Sequence, residues 1–390
     1  MRRFLIGFAG GLVLGYTGYR AYESARDLLH PAGPLPPDPK TYGRLRRRLM
    51  LAGIARSLAT LGVLAYGLGP VLEAPIEKHA RLRRIARLAG GMLLVALMDL
   101  PADYIEGYVL ERRFGLSKQS AHDWAQDHAK AFAVSVAIGV PLLELLASAI
   151  ERAPRTWPAY ATAGAFPLLI LANVVAPNYI APLFNRFEPL EGSLERRLRE
   201  LAGNYGAGDA LILRVDMSRQ TEKANAYVTG VLGSHRIVVG DTLIERFPEP
   251  AIAFVVAHEL GHYVNGDVWR SVWIGTAAVG SILFGARALA DRGTHSLASA
   301  TGLARLLFVG SLLGVVEGPL LAAYSRWRER VSDRFALAAT SDAAAGIEAF
   351  TLLRDANLAE DEQPPWMELL FSSHPSLGRR IATLRAHGAN

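Results

Sequence analysis

Seven apolar stretches of about 20 residues recur along this chain, near 4–20, 50–72, 88–110, 130–150, 157–178, 268–290 and 303–325. A helix of that length crosses the ~30 Å hydrocarbon core of a bilayer. Inside that core every backbone N–H and C=O needs a partner within the protein, and a helix supplies them all from its own segment. The pattern predicts a mainly α, polytopic membrane protein of about seven transmembrane helices. Composition agrees: of 390 residues, 51% are hydrophobic and only 20% charged, a balance seldom met in soluble enzymes. The net charge of +6 sits in short runs between the apolar stretches, such as RLRRR at 44–48 and ARLRRIARL at 80–88. Basic loops flanking membrane spans account for it, so it calls for membrane lipid around the chain and for no nucleic acid.

The first stretch follows Met1-Arg2-Arg3 and lacks a small-residue cleavage site, so it reads as a retained span rather than a signal peptide. Its Gly7, Gly11 and Gly15 fall on one helical face, which favours close helix packing in lipid. Acids interrupt three other stretches: Asp99, Asp103 and Glu106 around Pro101, then Glu144, then Glu317 beside Pro319. Carboxylates facing lipid are costly, so they face other helices or an aqueous space. Three in one span predict an internal polar chamber. Pairing with arginines at span ends is the plainer alternative.

Two segments are not membrane-like. Residues 180–267 mix charge, turns and short strands, and 326–390 are polar with a helical pattern. The run NAYVTGVLGSHRIVVGD at 225–241 reads as a hairpin turning at Gly233-Ser234. Pro250 suits a first helical turn, Ile252, Val255 and Val256 follow, and Gly266 suits an end. A helix near 250–265 therefore carries the segment HELGH in its second half.

Residues four apart on a helix lie one turn apart on the same face. His258 and His262 can thus present imidazole nitrogens to one ion, with Glu259 able to reach a water held there. This is the arrangement of a zinc peptidase: two histidine ligands and a glutamate as general base. Such a helix, otherwise apolar, buries two histidines and a glutamate at high cost unless a metal takes them up. The chain has no cysteine, so there are no thiolate ligands, and any metal site is built from histidine and carboxylate. A third ligand is required, and no histidine follows soon after His262. Glu329, in SRWRERVSDRFAL at 325–337, is the best candidate. Asp333, one turn further on, can orient His258 or His262. HELGH and Glu329 are separated by two predicted crossings, so both emerge on the same membrane face. Arg326, Arg328, Arg330 and Arg334 tilt that face toward the cytoplasm.

Several segments together resemble the type-1 CAAX prenyl proteases, membrane zinc peptidases related to the HtpX-type proteases. They are DLPADYIEGYVLERRFGLSKQ (99–119), IAPLFNRFEPLE (180–191), KANAYVTG (223–230), HELGH (258–262), SRWRERVSDRFA (325–336) and SSHPSLGRRI (372–381). The resemblance implies a seven-helix barrel around a water-filled chamber, with a small α+β zincin-type catalytic region at its cytoplasmic end. It implies one Zn2+ per chain on His258, His262 and Glu329, and Glu259 as the catalytic base. Asp333 matches an aspartate that supports a ligand or donates a proton. Asn225 and Tyr227 match the segment that lines the substrate, and His374 and Arg380 match a C-terminal motif that binds substrate and steadies the oxyanion.

The residues agree. A strand at 225–231 can accept an extended peptide at its edge, and His374 can donate to an oxyanion. The expected division is a membrane domain of about five helices over 1–179 and a zinc peptidase region over 180–390, including two further spans. HELGHYVNGD departs from the family pattern after the second histidine, and the Ala-, Arg- and Gly-rich composition points to a bacterial inner membrane. Expected substrates are peptides or proteins: prenylated C-termini or, in a bacterium, damaged or blocked membrane proteins. Two other readings fit less. A seven-helix transporter or channel has no use for Glu329 or Asp333. An inactive zinc-binding scaffold has no need to keep Glu259.

Overall fold

The computed structural model describes residues 22–26, 28–29, 34–68, 80–230, 235–290 and 296–388. The apolar stretch at 4–20, with its three glycines, and the Gly233-Ser234 turn lie outside the described residues. Among the described residues six helical segments are long and apolar enough to cross a membrane, one for each of the other six stretches.

Helix α1 (Pro39–Gly62) starts earlier than its apolar stretch. The Asp38 carboxylate accepts from the Lys40 and Thr41 N–H groups at 3.2 and 3.0 Å. That cap lets the Arg-rich turns at 44–48 join the helix. Helix α2 (Ala80–Tyr104) contains Pro101 and widens into a π-type turn over Ile105–Leu110 before ending at Arg113. The missing proline N–H and the ring's bulk explain a local departure from regular α geometry. Helix α3 (Ala121–Arg152) is capped by the Ser120 hydroxyl, which accepts from the Asp123 N–H at 3.1 Å. Helix α4 (Trp157–Val175) opens on Pro158 and leads through short irregular turns to the first strand.

The chain then leaves the membrane segment. Strand β1 (Phe187–Pro189), helix α5 (Ser193–Gly203), and strands β2 (Leu211–Val215), β3 (Ala226–Thr229) and β4 (Arg236–Gly240) follow. The sheet order is β1-β2-β4-β3. Strands β3 and β4 pair antiparallel, Ala226 opposite Val239 and Thr229 opposite Arg236, as the hairpin pattern predicts. Among the described residues, strand β3 therefore ends the sheet with one side unpaired by strand. After the short α6 (Asp241–Arg246), helix α7 (Glu249–Val264) carries HELGH. Residues 251–258 of α7 are all buried, which is what a helix apolar on every face requires. It is the centre of a core that includes Leu198, Ile212, Ile237, Ala336, Phe350 and Leu384. The turn after α7 uses Gly266 at φ +67°, a conformation glycine adopts without penalty.

Two more membrane helices complete the frame. Helix α8 (Asp267–Ala290) begins directly after that turn. Helix α9 (Ala300–Thr340) is unbroken for 41 residues. At 1.5 Å per residue it is about 60 Å long, twice the hydrocarbon core. Its first half spans, and its second half runs into the catalytic region and packs on α7. Helices α10 (Ala343–Ala356), α11 (Pro365–Leu370) and α12 (Leu377–Gly388) close around it.

The intramembrane acids are largely paired, which corrects part of the chamber argument. Asp99 accepts from Arg56 Nε at 2.6 Å, and Asp103 lies 3.8 Å from His128. Glu144 is held by Arg81 and Arg84 at 3.0 and 2.7 Å. Glu317 accepts from the Ser281 hydroxyl at 2.7 Å. Pairing removes most of the burial cost of such groups. Among the described residues, Glu106 alone of the three acids on α2 makes no such pair.

Candidate functional site

Helices α7 and α9 bring the site together by a close approach that Gly261 allows. A Cβ on Gly261 would lie 3.1 Å from Ser332 Cα and 3.2 Å from the Phe335 ring. With no side chain there, the helices meet at van der Waals distance, and Ser332 is fully buried between them. Glu329, one turn before Ser332, then reaches both histidines. Its Oε2 lies 3.2 Å from His258 Nε2, and its Oε1 lies 3.2 Å from His262 Nε2.

This donor set fits a metal ion. One ligand atom from each of His258, His262 and Glu329 can be chosen within 4.8 Å of the other two. Ligands about 2.0 Å from a tetrahedral ion sit about 3.3 Å apart, close to the separations seen. Glu329 is buried, and its carboxylate faces the imidazoles of His258, His262 and His374, a donor set suited to a cation. Burial and the Arg380 charge pull the His258 imidazolium down, but bonds to Asp333 and Glu329 outweigh them and push it up to about 9. Without a metal, protons stand in for the cation that the carboxylates favour.

The far nitrogens of both histidines are also held. Asp333 Oδ1 lies 2.9 Å from His258 Nδ1. Arg380 grips the same carboxylate with Nε at 3.0 Å and Nη2 at 2.5 Å, and its guanidinium lies 4.0 Å from the Phe350 ring centroid. Asp267 Oδ2 lies 2.8 Å from His262 Nδ1, and its other oxygen lies 2.7 Å from Arg328 Nε. Asp267 is absent from the sequence expectations. Its signal is faint: an aspartate directly after a turn glycine, five residues beyond His262.

Glu259 lines a cavity of about 300 Å3 with His258, Glu329, Asn225, His374 and Arg380. Burial pushes its carboxyl above the ordinary range, toward the pH at which a general base works. The exposed His374 places Nε2 3.4 Å from Glu329 Oε1, with Ser373 Oγ 2.7 Å from its Nδ1. Asn225 and Ala226 bring the start of β3 to the same cavity. Tyr227 lies on β3, half-buried, and is not among the residues that line it. Arg380 lines the cavity too, but with one edge bound to Asp333.

Strand β3 is pinned from a distance. Asn357, at the end of α10, accepts from the Ala224 N–H at 2.9 Å and donates to the Ala224 carbonyl at 3.3 Å. Leu358 next to it has φ +46°, a left-handed conformation costing about 1–2 kcal/mol, and it is buried against Tyr42 and Phe114. Lys223 bonds Glu111 at 2.7 Å and Tyr42 at 2.9 Å, tying the strand to α2 and α1. Sequence spacing carries no trace of these contacts.

Comparison with known proteins gives the same picture. The model of peptidase family M48 matches residues 189–387, and that of the CAAX prenyl protease N-terminal region, five membrane helices, matches 40–186. The chain is 29% identical over 306 residues to the uncharacterized metalloprotease YhfN of Bacillus subtilis, covering 74% of this chain and 70% of that protein. It is 37% identical over 181 residues to CAAX prenyl protease 1 of Saccharomyces cerevisiae, covering 46% of this chain and 40% of that one. A CAAX prenyl protease 1 homolog of rice (Oryza sativa) is 29% identical, with 78% and 73% covered. In fold, the chain is similar to the crystal structure of S. mikatae Ste24p, with a TM-score of 0.71, 22% identity and 96% of each chain covered. With its multi-pass membrane helices and this site, the chain belongs to peptidase family M48 and is a membrane metallopeptidase of the CAAX prenyl protease kind.

Proposed function

We propose that the chain is a zinc endopeptidase whose ion is held by His258, His262 and Glu329. The convergence of these three ligands beside an unpaired strand edge carries the reading. Zinc bound there supplies a Lewis acid for the attacking water and the scissile carbonyl. Glu259 takes the water's proton and passes it to the leaving amine. The Ser373 hydroxyl lies 2.7 Å from Nδ1 of His374; with the hydroxyl as donor the imidazole proton sits on Nε2, free to donate to the oxyanion. Asp333 and Asp267 hold the two imidazoles from behind, and Arg380 fixes Asp333. The substrate lies extended along β3, bonded to its free backbone groups beside Asn225. Tyr227 would contact the chain further along.

Residues 180–390 form the zinc peptidase region, which includes two membrane helices, and the preceding helices supply the rest of the membrane frame. Chains reach the site from the helical frame, as prenylated C-termini or as membrane proteins. The site faces the cytoplasm of a bacterial inner membrane. Arg326 and Arg328 are buried and engaged inside the protein, so Arg330 and Arg334 bear that orientation, together with the basic run at 44–48, which Arg47 ties to Glu360 on the catalytic side.

A direct test offers the detergent-purified protein a farnesylated C-terminal peptide and its unprenylated twin. Chelator-sensitive cleavage is expected, restored by zinc. Failure to cut either peptide, or cleavage indifferent to chelator, contradicts the proposal.

A further inference from the structure

One exposed stripe of α9 runs from the middle of the helix into its second half: Val316, Leu320, Ala323, Trp327, Arg330 and Arg334. Steps of four and three residues keep them on one side of the helix. The first three are apolar and meet lipid; Val316 and Leu320 are 75% and 73% exposed. Tryptophan is enriched where hydrocarbon gives way to headgroups, and two guanidinium groups follow it. Arg330 and Arg334 stand about 4.5 and 10 Å further along the axis. The same face that meets acyl chains therefore runs straight into the headgroup layer. Helix α11 sits at this level. Arg326 donates to the Glu368 and Ser372 carbonyls at 2.6 and 2.7 Å, and Trp366 and Leu369 remain exposed.

A second cavity of about 300 Å3 opens here, lined by Arg330, Arg334, Glu368, Arg379, Arg380 and Asp333 among others. Four arginines face two carboxylates. Arg380 is bound to Asp333, and Arg379 Nη1 lies 2.9 Å from Glu368 Oε1. Arg330 and Arg334, one turn apart, have no carboxylate partner among the described residues. Glu368 is buried, and its Oε2 has no hydrogen-bond donor. The cavity thus combines two unpaired guanidinium forks, suited to phosphate oxygens, with an acceptor suited to a hydroxyl.

We propose that this cavity binds the headgroup of an anionic phospholipid, its phosphate between Arg330 and Arg334 and a headgroup hydroxyl on Glu368. The acyl chains run back along Trp327, Ala323 and Leu320. Continuity with the lipid-facing stripe selects a lipid over a soluble phosphate. Arg380 and Pro375 line both this cavity and the catalytic one, so the headgroup lies one layer of side chains from the metal ligands.

The test uses the full chain in detergent micelles doped with phosphatidylglycerol or phosphatidylcholine, with bound lipid counted by native mass spectrometry. Wild type should retain phosphatidylglycerol in preference. R330Q/R334Q should lose about 30-fold in phosphatidylglycerol affinity, leave phosphatidylcholine unchanged, and keep wild-type cleavage in phosphatidylcholine micelles. R330K/R334K should recover part of the loss. Equal phosphatidylglycerol retention by the glutamine variant overturns the proposal. So does displacement of the lipid by millimolar inorganic phosphate, which would mark a site for a soluble anion.

Discussion

Asp267 holds the far nitrogen of His262, and a metal-bound imidazole depends on that partner for its orientation and basicity. Asp267→Ala should lower zinc affinity about 10- to 100-fold, read by chelator competition; unchanged affinity would remove Asp267 from the site. His258 makes a second demand. In the metal-free protein its imidazole is pushed up to about 9, so below that pH a metal must displace a proton. Apparent zinc affinity should therefore climb with pH between 6.5 and 8.5, up to tenfold per unit for one proton released. A flat profile would contradict the coupling. The sign for the metal-free fold is the reverse. A raised histidine stabilises it fully below the unfolded value near 6.5, and that contribution disappears as pH rises through about 9. At this scale the sequence was readable where a short regular spacing carried the chemistry, as for His258, Glu259 and His262. Glu329 was a candidate because it lies in a helical segment just after the last span, and two crossings between it and HELGH permit both on the same face. Asp267 was not, because its reach depends on the turn at Gly266.

Among the elements, the contact between α7 and α9 rests on Gly261. A methyl group there forces the helices apart by a few tenths of an ångström and shifts Glu329 against both histidines. Gly261→Ala should reduce cleavage about 10- to 100-fold while leaving the helical content unchanged by circular dichroism. Near-normal turnover would mean that α9 adapts without cost. The clamp of Asn357 on Ala224 predicts a different signature. Asn357→Ala frees the start of β3, so KM should rise several-fold, up to about tenfold for two hydrogen bonds of ordinary strength, with kcat little changed. A fall in kcat at constant KM would place Asn357 elsewhere in the mechanism. The hairpin and the HELGH helix were legible from β-branched runs and from Pro250 and Gly266. The clamp was not, because it joins residues 133 positions apart through a left-handed turn at Leu358.

In the whole molecule, hydropathy located the described spans but not their ends. Helix α1 starts at Pro39 because its arginine-rich turns are capped and helical, and α9 continues through Pro319 to Thr340. That continuity matters: one rigid helix carries both lipid-facing residues and Glu329, so the site is set at a definite height on the membrane. The intramembrane acids were legible as polar, but their partners Arg56, Arg81 and Arg84 come from neighbouring helices. The central claim is that this membrane frame presents a zinc ion on His258, His262 and Glu329 with Glu259 as the base. It is tested most directly by measuring zinc content and peptide cleavage together for wild type and Glu259→Gln. About one zinc per chain in both proteins, with cleavage by wild type alone, is the predicted result. Metal-free wild type, or a variant that cleaves as well as wild type, would contradict it.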